Sequence, residues 1–397
     1  MNSDDHGCIR IMSVVGARPN FMKIAPFIEA IDRYNTSASL GEKVEHILVH
    51  TGQHYDDNMS RTFFEELGIP QADINLEVGS GTHAEQIAHT MLSFEPVMLD
   101  YDPDWVVVVG DVNATSACSQ VAKKYNARIA HIESGLRSYD MTMPEEVNRL
   151  ITDRLSDLLL APDRMSCDNL KREGASEKSI ELVGNIMIDT LEKQIEKADE
   201  LDLLSIVSEN LYEGQDTLES LNEGQYCLVT IHRPCNIDDS SIMDDLVSWF
   251  GTEVSDDMTV VWPVHPRAKK MLQQFNLWDE MINNPRIALT SPLGYHELLR
   301  LNRDVRMMIT DSGGLQEECC VLGTPTIVLR ENTERPITLR ENGGICMLAG
   351  NDIEVVKQKY QEALEMDRRP YRPELWDGKT AERCVEAILS MDDCTAD

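Results

Sequence analysis

Two Rossmann-like, doubly wound α/β domains are predicted from the length, the apolar composition and the order of the hydrophobic runs. The chain has 397 residues, more than a single hydrophobic core usually organises, so two domains of comparable size are expected. Apolar residues make up 42% of it and aromatic residues only 6%, which suits parallel strands buried on both faces and built from Val, Ile and Leu. Short β-branched runs alternate with helical patterns, as repeated βαβ units require.

The first series of strands is expected at Ile9 to Val15, Val44 to Val49, Trp105 to Val109, Arg128 to Ile132 and Leu158 to Ala161. A second is expected at Tyr226 to Ile231, Met258 to Trp262, Arg306 to Ile309 and Thr326 to Leu329. Between the two series, Lys193 to Gly224 is rich in Glu, Asp, Ser and Asn and carries no strand signal, which places the boundary there. The predicted domains are 8–200 and 222–375, with a closing helix in 376–394 whose apolar spacing runs through Ala381, Cys384, Ala387 and Ile388.

A net charge of −33, from 36 basic and 69 acidic side chains, repels nucleic-acid phosphates and anionic membrane surfaces, so neither partner is expected. The ten cysteines include no C-x-x-C pair, and several lie in apolar runs such as Tyr226-Cys-Leu-Val-Thr. They read as free thiols of a reducing compartment, with no metal site. The start, Met-Asn-Ser-Asp-Asp-His, has no basic segment before an apolar one, and no apolar run is long enough to span a membrane. A cytoplasmic protein is expected.

Open parallel sheets bind ligands in the crevice beyond the carboxyl ends of their strands, so polar residues at those ends are the candidate site. Gly16-Ala-Arg-Pro-Asn-Phe-Met-Lys23 runs from a strand into a helix that Pro19 opens. Arg18 and Lys23 add positive charge to a helix amino end, a plausible phosphate subsite. Val106-Val-Val-Val-Gly-Asp111 ends one buried strand in a carboxylate, and Ile129-Ala-His-Ile-Glu133 ends the next in another. On neighbouring strands Asp111 and Glu133 would stand side by side, and close carboxylates split their pKa values to supply an acid and a base. Helix capping for Asp111 and a structural ion pair for Glu133 are the alternatives. Glu145-Glu146 after Pro144, with Arg149 one turn on, begins a helix that can point a further carboxylate inward.

In the second half, His232 of Thr230-Ile-His-Arg-Pro follows the first strand and suits proton transfer or phosphate contact; His265 of Trp262-Pro-Val-His-Pro is a weaker candidate. Ile309-Thr-Asp-Ser312-Gly313-Gly314-Leu-Gln-Glu-Glu318 is the clearest phosphate signal. Ser312 can cap the following helix, two glycines let the backbone approach a pyrophosphate, and Glu318 can reach a ribose diol. Arg335 follows the next strand. Gly79-Ser-Gly81-Thr-His-Ala84 matches a nicotinamide fingerprint, but it follows no clear strand and reads as the start of a helix capped by Thr82-x-x-Glu85. No cofactor is expected.

Taken in order, these segments resemble the non-hydrolysing UDP-N-acetylglucosamine 2-epimerases. The similar motifs run from Gly16-Ala-Arg-Pro through Thr51-Gly-Gln-His54, Gly110-Asp111, His131-Ile-Glu-Ser-Gly-Leu-Arg137, Pro144-Glu-Glu-x-Asn-Arg149, Gly184-Asn185, His232-Arg233, Pro263-Val-His-Pro266 and Thr310-Asp-Ser-Gly-Gly-x-Gln-Glu-Glu318 to Thr333-Glu-Arg-Pro336. The resemblance implies a GT-B-type pair of Rossmann-like domains with the active site in the cleft between them, a homodimer, and a last helix that returns to the first domain. By position it implies catalytic roles for Asp111, Glu133, Glu145 and His232. It implies binding of UDP-N-acetylglucosamine and UDP-N-acetylmannosamine by Arg18, Lys23, Arg149, Ser312, Gly313, Gly314, Glu318 and Arg335. The implied chemistry expels UDP to leave a 2-acetamidoglucal and then returns proton and UDP. A hydrolysing epimerase, an epimerase of UDP-linked diacetamido-uronic acid and a glycosyltransferase of the same architecture are the rival readings. Two glutamines that serve a regulatory second substrate site in some bacterial relatives are replaced here by Asp56 and Leu150, so that site is not assigned.

Overall fold

The computed structural model describes residues 8–39, 42–52, 68, 71–216 and 218–393, apart from the side chains of Arg18, 392 and 393. Gln53, His54 and Asp56, and the side chain of Arg18, therefore lie outside the described residues. The chain forms two compact units, one of Met1–Thr190 with Pro373–Asp397 and one of Leu191–Arg372.

The first unit carries seven parallel strands: β1 (Ile9–Val15), β2 (Val44–His50), β3 (Ile74–Asn75), β4 (Trp105–Val109), β5 (Arg128–Ile132), β6 (Leu158–Ala161) and β7 (Ile180–Leu182). Their order is β3-β2-β1-β4-β5-β6-β7, so the direction of winding reverses between β1 and β4. The longer described helices up to the second unit are α1 (Arg18–Ser37), α2 (His83–Tyr101), α3 (Asn113–Lys124), α4 (Pro144–Leu155), α5 (Arg164–Arg172) and α6 (Ile186–Asp199). All five residues of β4 are buried, as a Trp-Val-Val-Val-Val run covered on both faces demands. Met12, Val14, Val106, Val108 and Ile129 pack one face against Phe94 and Met98 of α2 and Cys118 and Val121 of α3.

The second unit carries β8 (Tyr226–Thr230), β9 (Thr259–Pro263), β10 (Ile287–Thr290), β11 (Met307–Thr310), β12 (Thr326–Val328) and β13 (Cys346–Leu348), in the order β10-β9-β8-β11-β12-β13. Its longer helices are α7 (Leu203–Asn210), α8 (Ser240–Trp249), α9 (Pro266–Gln274), α10 (Tyr295–Asp304), α11 (Gly313–Leu322) and α12 (Ile353–Leu364). Alternate residues of β8 go to opposite layers, Cys227 and Val229 to one core and Tyr226 and Leu228 to the other. That is the two-sided burial expected of a doubly wound sheet.

The chain passes from one unit to the other inside α6, and the acidic stretch that follows folds α7 as part of the second unit. The last helix, α13 (Thr380–Asp393), belongs to the first unit. Its opening N–H groups are held by Asp189, with Thr380 N at 3.0 Å and Ala381 N at 2.7 Å from the two carboxylate oxygens. It lies along α1, where Arg33 and Glu382 pair at 3.4 Å. The Gly79 loop opens α2 through the predicted capping box, Thr82 N donating to Glu85 at 2.9 Å and Glu85 N to the Thr82 hydroxyl at 3.3 Å.

Candidate active site

The first cluster stands at the switch point of the first sheet. Val109 of β4 pairs with Ile132 of β5, so Gly110-Asp111 and Glu133 leave adjacent strand ends. Gly110 adopts φ +70°, and a Cβ there would lie 3.3 Å from the Asn20 amide nitrogen and 3.4 Å from the Lys23 ammonium. A side chain would both strain this backbone and crowd that cation. Asn20, which the sequence did not single out, ties the β1–α1 turn together: its carbonyl oxygen accepts from Ala17 N at 3.0 Å, and its amide donates to the Val109 carbonyl at 2.9 Å.

Glu133 is buried and takes φ +70° without being glycine. Such a conformation costs on the order of 1–3 kcal/mol and is retained where the surroundings enforce it. One carboxylate oxygen, Oε2, forms a close ion pair with Lys23, itself buried; the other, Oε1, has no hydrogen-bond partner among the described residues. Lys23, expected to meet phosphate, is thus placed against a carboxylate.

Asp111 is partly exposed and forms a close ion pair with Arg149. Arg149 is 1% exposed and also donates through Nε to Glu146 at 3.0 Å. Glu146 further accepts from Ser138 N at 3.0 Å and Tyr139 N at 2.9 Å. Burial pushes its carboxyl up, but these N–H groups and Arg149 outweigh burial and hold it below its usual range. Of the Glu145-Glu146 pair, then, Glu146 is the buried carboxylate that locks Arg149, and Glu145 on the first turn of α4 is exposed. Asn148, also unassigned by sequence, donates to the Asp111 carbonyl at 3.0 Å.

The second cluster stands at the switch point of the second sheet, between β8 and β11. His232 is exposed, and its Nδ1 lies 2.9 Å from Asp311. Asp311 is fully buried and accepts from His232 N at 3.0 Å, Arg233 N at 2.8 Å and the Asn236 amide at 3.0 Å. Burial alone would raise its pKa; His232, the Arg233 N–H and Asn236 bring it below the usual carboxylate range. Asp311 is the orienting group for His232 that the sequence did not reveal. His265 lies beside them, its ring centroid 5.9 Å from that of His232 and its Nδ1 accepting from Arg267 N at 3.2 Å. Burial and His232 hold its pKa low.

Ser312 occupies the N-cap of α11, but its hydroxyl does not make the expected cap, and the first turn carries no acidic residue. The helix amino end is therefore left with donors for an anion. The two glycines differ. A Cβ on Gly313 would meet Glu334 at 2.5 Å and Arg335 at 2.8 Å, whereas one on Gly314 would meet nothing within 4 Å. Arg335 is buried, pairing with Glu317 at 2.8 Å and closely with Glu334. Glu318 is buried against the Tyr295 hydroxyl of α10; burial pushes its pKa up to about 7, although the Tyr295 contact pulls the other way. Among the described residues no group of three or more His, Cys, Asp or Glu side chains is placed to hold a metal ion. None of the described helices is long and apolar enough to cross a membrane.

Polar strand ends gathered at the switch points of two parallel sheets define an α/β protein of the two-Rossmann-domain, GT-B class. A family model described as UDP-N-acetylglucosamine 2-epimerase matches residues 38–389. The UDP-N-acetylglucosamine 2-epimerase of Methanocaldococcus jannaschii is 36% identical over 384 residues, 96% of this chain and 99% of that protein. Its crystal structure in complex with UDP-GlcNAc and UDP is similar at a TM-score of 0.83, with 96% of this chain and 100% of that chain covered. The UDP-2,3-diacetamido-2,3-dideoxy-D-glucuronate 2-epimerase of Pseudomonas aeruginosa is 35% identical over 328 residues, 82% of this chain and 84% of that protein. The chain belongs to the UDP-N-acetylglucosamine 2-epimerase family.

Proposed function

We propose that the protein interconverts UDP-N-acetylglucosamine and UDP-N-acetylmannosamine without net hydrolysis, as a cytoplasmic homodimer that uses no metal or nicotinamide. Removal of the C2 proton accompanies cleavage of the bond between C1 and the UDP oxygen, leaving 2-acetamidoglucal and UDP. Protonation at the opposite face of C2, with the UDP oxygen re-adding to C1, gives the epimer, so atoms and charge balance without a hydride carrier.

One observation carries the proposal: Glu133 is anchored through Oε2 to Lys23 while Oε1 has no partner among the described residues, at the strand end next to Asp111. A fixed carboxylate with one unengaged oxygen is suited to take or return a proton, and general acid–base groups contribute on the order of 10²–10⁴-fold. Asp111, Glu133 and Glu145 are assigned to proton transfer, and Arg149 to holding Asp111. His232, oriented by Asp311, faces the departing diphosphate. The uncapped amino end of α11 with Ser312, Gly313 and Gly314, together with Arg18, Lys23 and Arg335, receives UDP, and Glu318 the ribose diol.

Incubation with UDP-N-acetylglucosamine in deuterated water tests this: deuterium should enter C2 as UDP-N-acetylmannosamine appears. Free N-acetylmannosamine as the main product would indicate a hydrolysing enzyme, and absence of C2 exchange would sink the assignment. The Pseudomonas relative supports a second reading, an epimerase of the UDP-linked 2,3-diacetamido-glucuronate. Comparing kcat/KM for the two nucleotide sugars decides between them.

A further inference from the structure

His131 of β5 is completely buried beneath the Asp111 turn and has an acceptor on each ring nitrogen. Nδ1 lies 2.6 Å from Asp153 Oδ1, and Nε2 lies 2.8 Å from the Gly110 carbonyl oxygen. A carbonyl oxygen has no proton to give, so Nε2 is the donor in the second contact. At Nδ1 the proton stays on the ring if Asp153 is ionised, and its surroundings ionise it. Asp153 Oδ2 accepts from Gly135 N at 3.0 Å and faces Arg137 Nη2 at 2.6 Å. Arg137 is gripped in turn by both oxygens of Glu173, at 2.8 and 2.6 Å. The groups gathered around the ring from α4, the residue that closes α5 and the segment after β5 are thus Asp153, Glu173 and Arg137. A charged imidazole completes two anions with two cations.

The Gly110 peptide needs an external clamp. It turns at φ +70° with no side chain of its own, and its N–H donates to the Ile132 carbonyl at 3.2 Å. The next carbonyl, that of Asp111, accepts from Asn148 at 3.0 Å. Without His131 the peptide that leads into Asp111 would lose its fixed orientation.

We propose that His131 is a buried imidazolium whose Nε2–H fixes the Gly110 carbonyl and thereby sets the position of the Asp111 carboxylate. It is a positioning residue and not a proton relay, because the carbonyl it meets accepts a hydrogen bond and has no proton to pass on. The proposal deepens the epimerase reading and rests on it for its kinetic consequence.

Two variants separate the contacts. In His131→Asn the side-chain amide takes the place of Nδ1, keeping Asp153 but falling short of Gly110. In His131→Gln it takes the place of Nε2 and can still donate to Gly110. Misplacing a reacting group by about 1 Å costs on the order of 100-fold. The asparagine variant should therefore lose roughly that factor in kcat for C2 exchange while KM stays within about twofold, and glutamine should recover most of it. Nitrogen-15 NMR of the histidine-labelled wild-type protein should show both ring nitrogens protonated in the resonance missing from His131→Asn. Unimpaired kcat in the asparagine variant, equal loss in both variants, or an unprotonated Nε2 overturns the proposal. If neither variant folds, the wild-type nitrogen spectrum decides alone: the absence of any histidine with both ring nitrogens protonated overturns the proposal. Wild-type protein that fails to exchange the C2 hydrogen refutes the epimerase reading instead, while the nitrogen spectrum still reports on the clamp.

Discussion

At the carboxyl ends of the first sheet, Glu133 faces Lys23, Asp111 and Glu146 share Arg149, and Asp153 faces Arg137. At the second sheet, Glu318 is buried with the Tyr295 phenol and the neighbouring Glu317, and its ionisation is suppressed. The two sheets share their strand order around the switch point, so topology does not explain the contrast. The side chains that meet each carboxylate, from the strand ends and from the helices packed against them, do. The first unit pairs its strand-end carboxylates with buried cations; the second leaves the Ser312 hydroxyl cap of α11 unmade and raises the pKa of Glu318, while Asp311 beside it is held low by His232, the Arg233 N–H and Asn236.

The largest effect that would test this contrast lies in the first unit. Asp111→Asn or Glu133→Gln should lower the rate of C2 hydrogen exchange by on the order of 10³-fold or more while UDP still binds; mass spectrometry of the sugar after incubation in deuterated water reads the rate. Near-normal exchange in either variant would remove that residue from the chemistry.

In the second unit the two glycines should respond differently. Gly313→Ala forces a Cβ into Glu334 and Arg335, and overpacking of this kind costs about 1–3 kcal/mol, visible as a lower melting temperature. Gly314→Ala has room in the protein, so stability should hold while KM for the nucleotide sugar rises, on the order of tenfold. Equal melting and binding effects in both would contradict the assignment of the α11 amino end to the ligand.

The pH dependence of stability should have one sign for Glu318 and the opposite sign for Asp153 and Glu146. Glu318, raised to about 7 in the fold, binds its proton more tightly folded than unfolded. Its contribution is complete below about pH 4.5 and is lost as pH rises to about 7, on the order of 3 kcal/mol. Glu318→Gln should flatten that part of a denaturant-unfolding series. Asp153 is depressed: burial raises it, but His131 and Arg137 outweigh burial. With Glu146 it contributes stability above the ordinary carboxylate range, which is lost as pH falls through the folded values. A peripheral control is Thr82→Ala, which removes the cap of α2 and should cost about 1 kcal/mol without changing kcat.

The strands the sequence revealed and those it hid divide by position. The interior strands β1, β2, β4, β5, β6, β8, β9, β11 and β12 were all legible as apolar runs, because burial on both faces leaves little room for polar residues. The four that escaped, Ile74–Asn75, Ile180–Leu182, Ile287–Thr290 and Cys346–Leu348, are the edge strands of the two sheets. An edge strand pairs on one side and can be as short as two or three residues, too few for a periodic signal.

The site follows the same logic at the level of side chains. A carboxylate directly after a buried strand must emerge at the sheet end, so Asp111, Glu133 and the Ser312-Gly313-Gly314 turn were readable from local order alone. Partnership was not. Lys23 meets Glu133 across 110 positions of sequence and Arg149 meets Asp111 across 38, so which cation neutralises which anion depends on strand order and on how α1 and α4 pack. For the same reason only the folded chain shows that Glu146 and not Glu145 turns inward, that Asp311 orients His232, and that His131 rests between Asp153 and Gly110. Alternation and strand-end position are properties of neighbouring residues and are written into the chain; ionisation and hydrogen bonding depend on groups brought together from distant segments, and packing alone decides them.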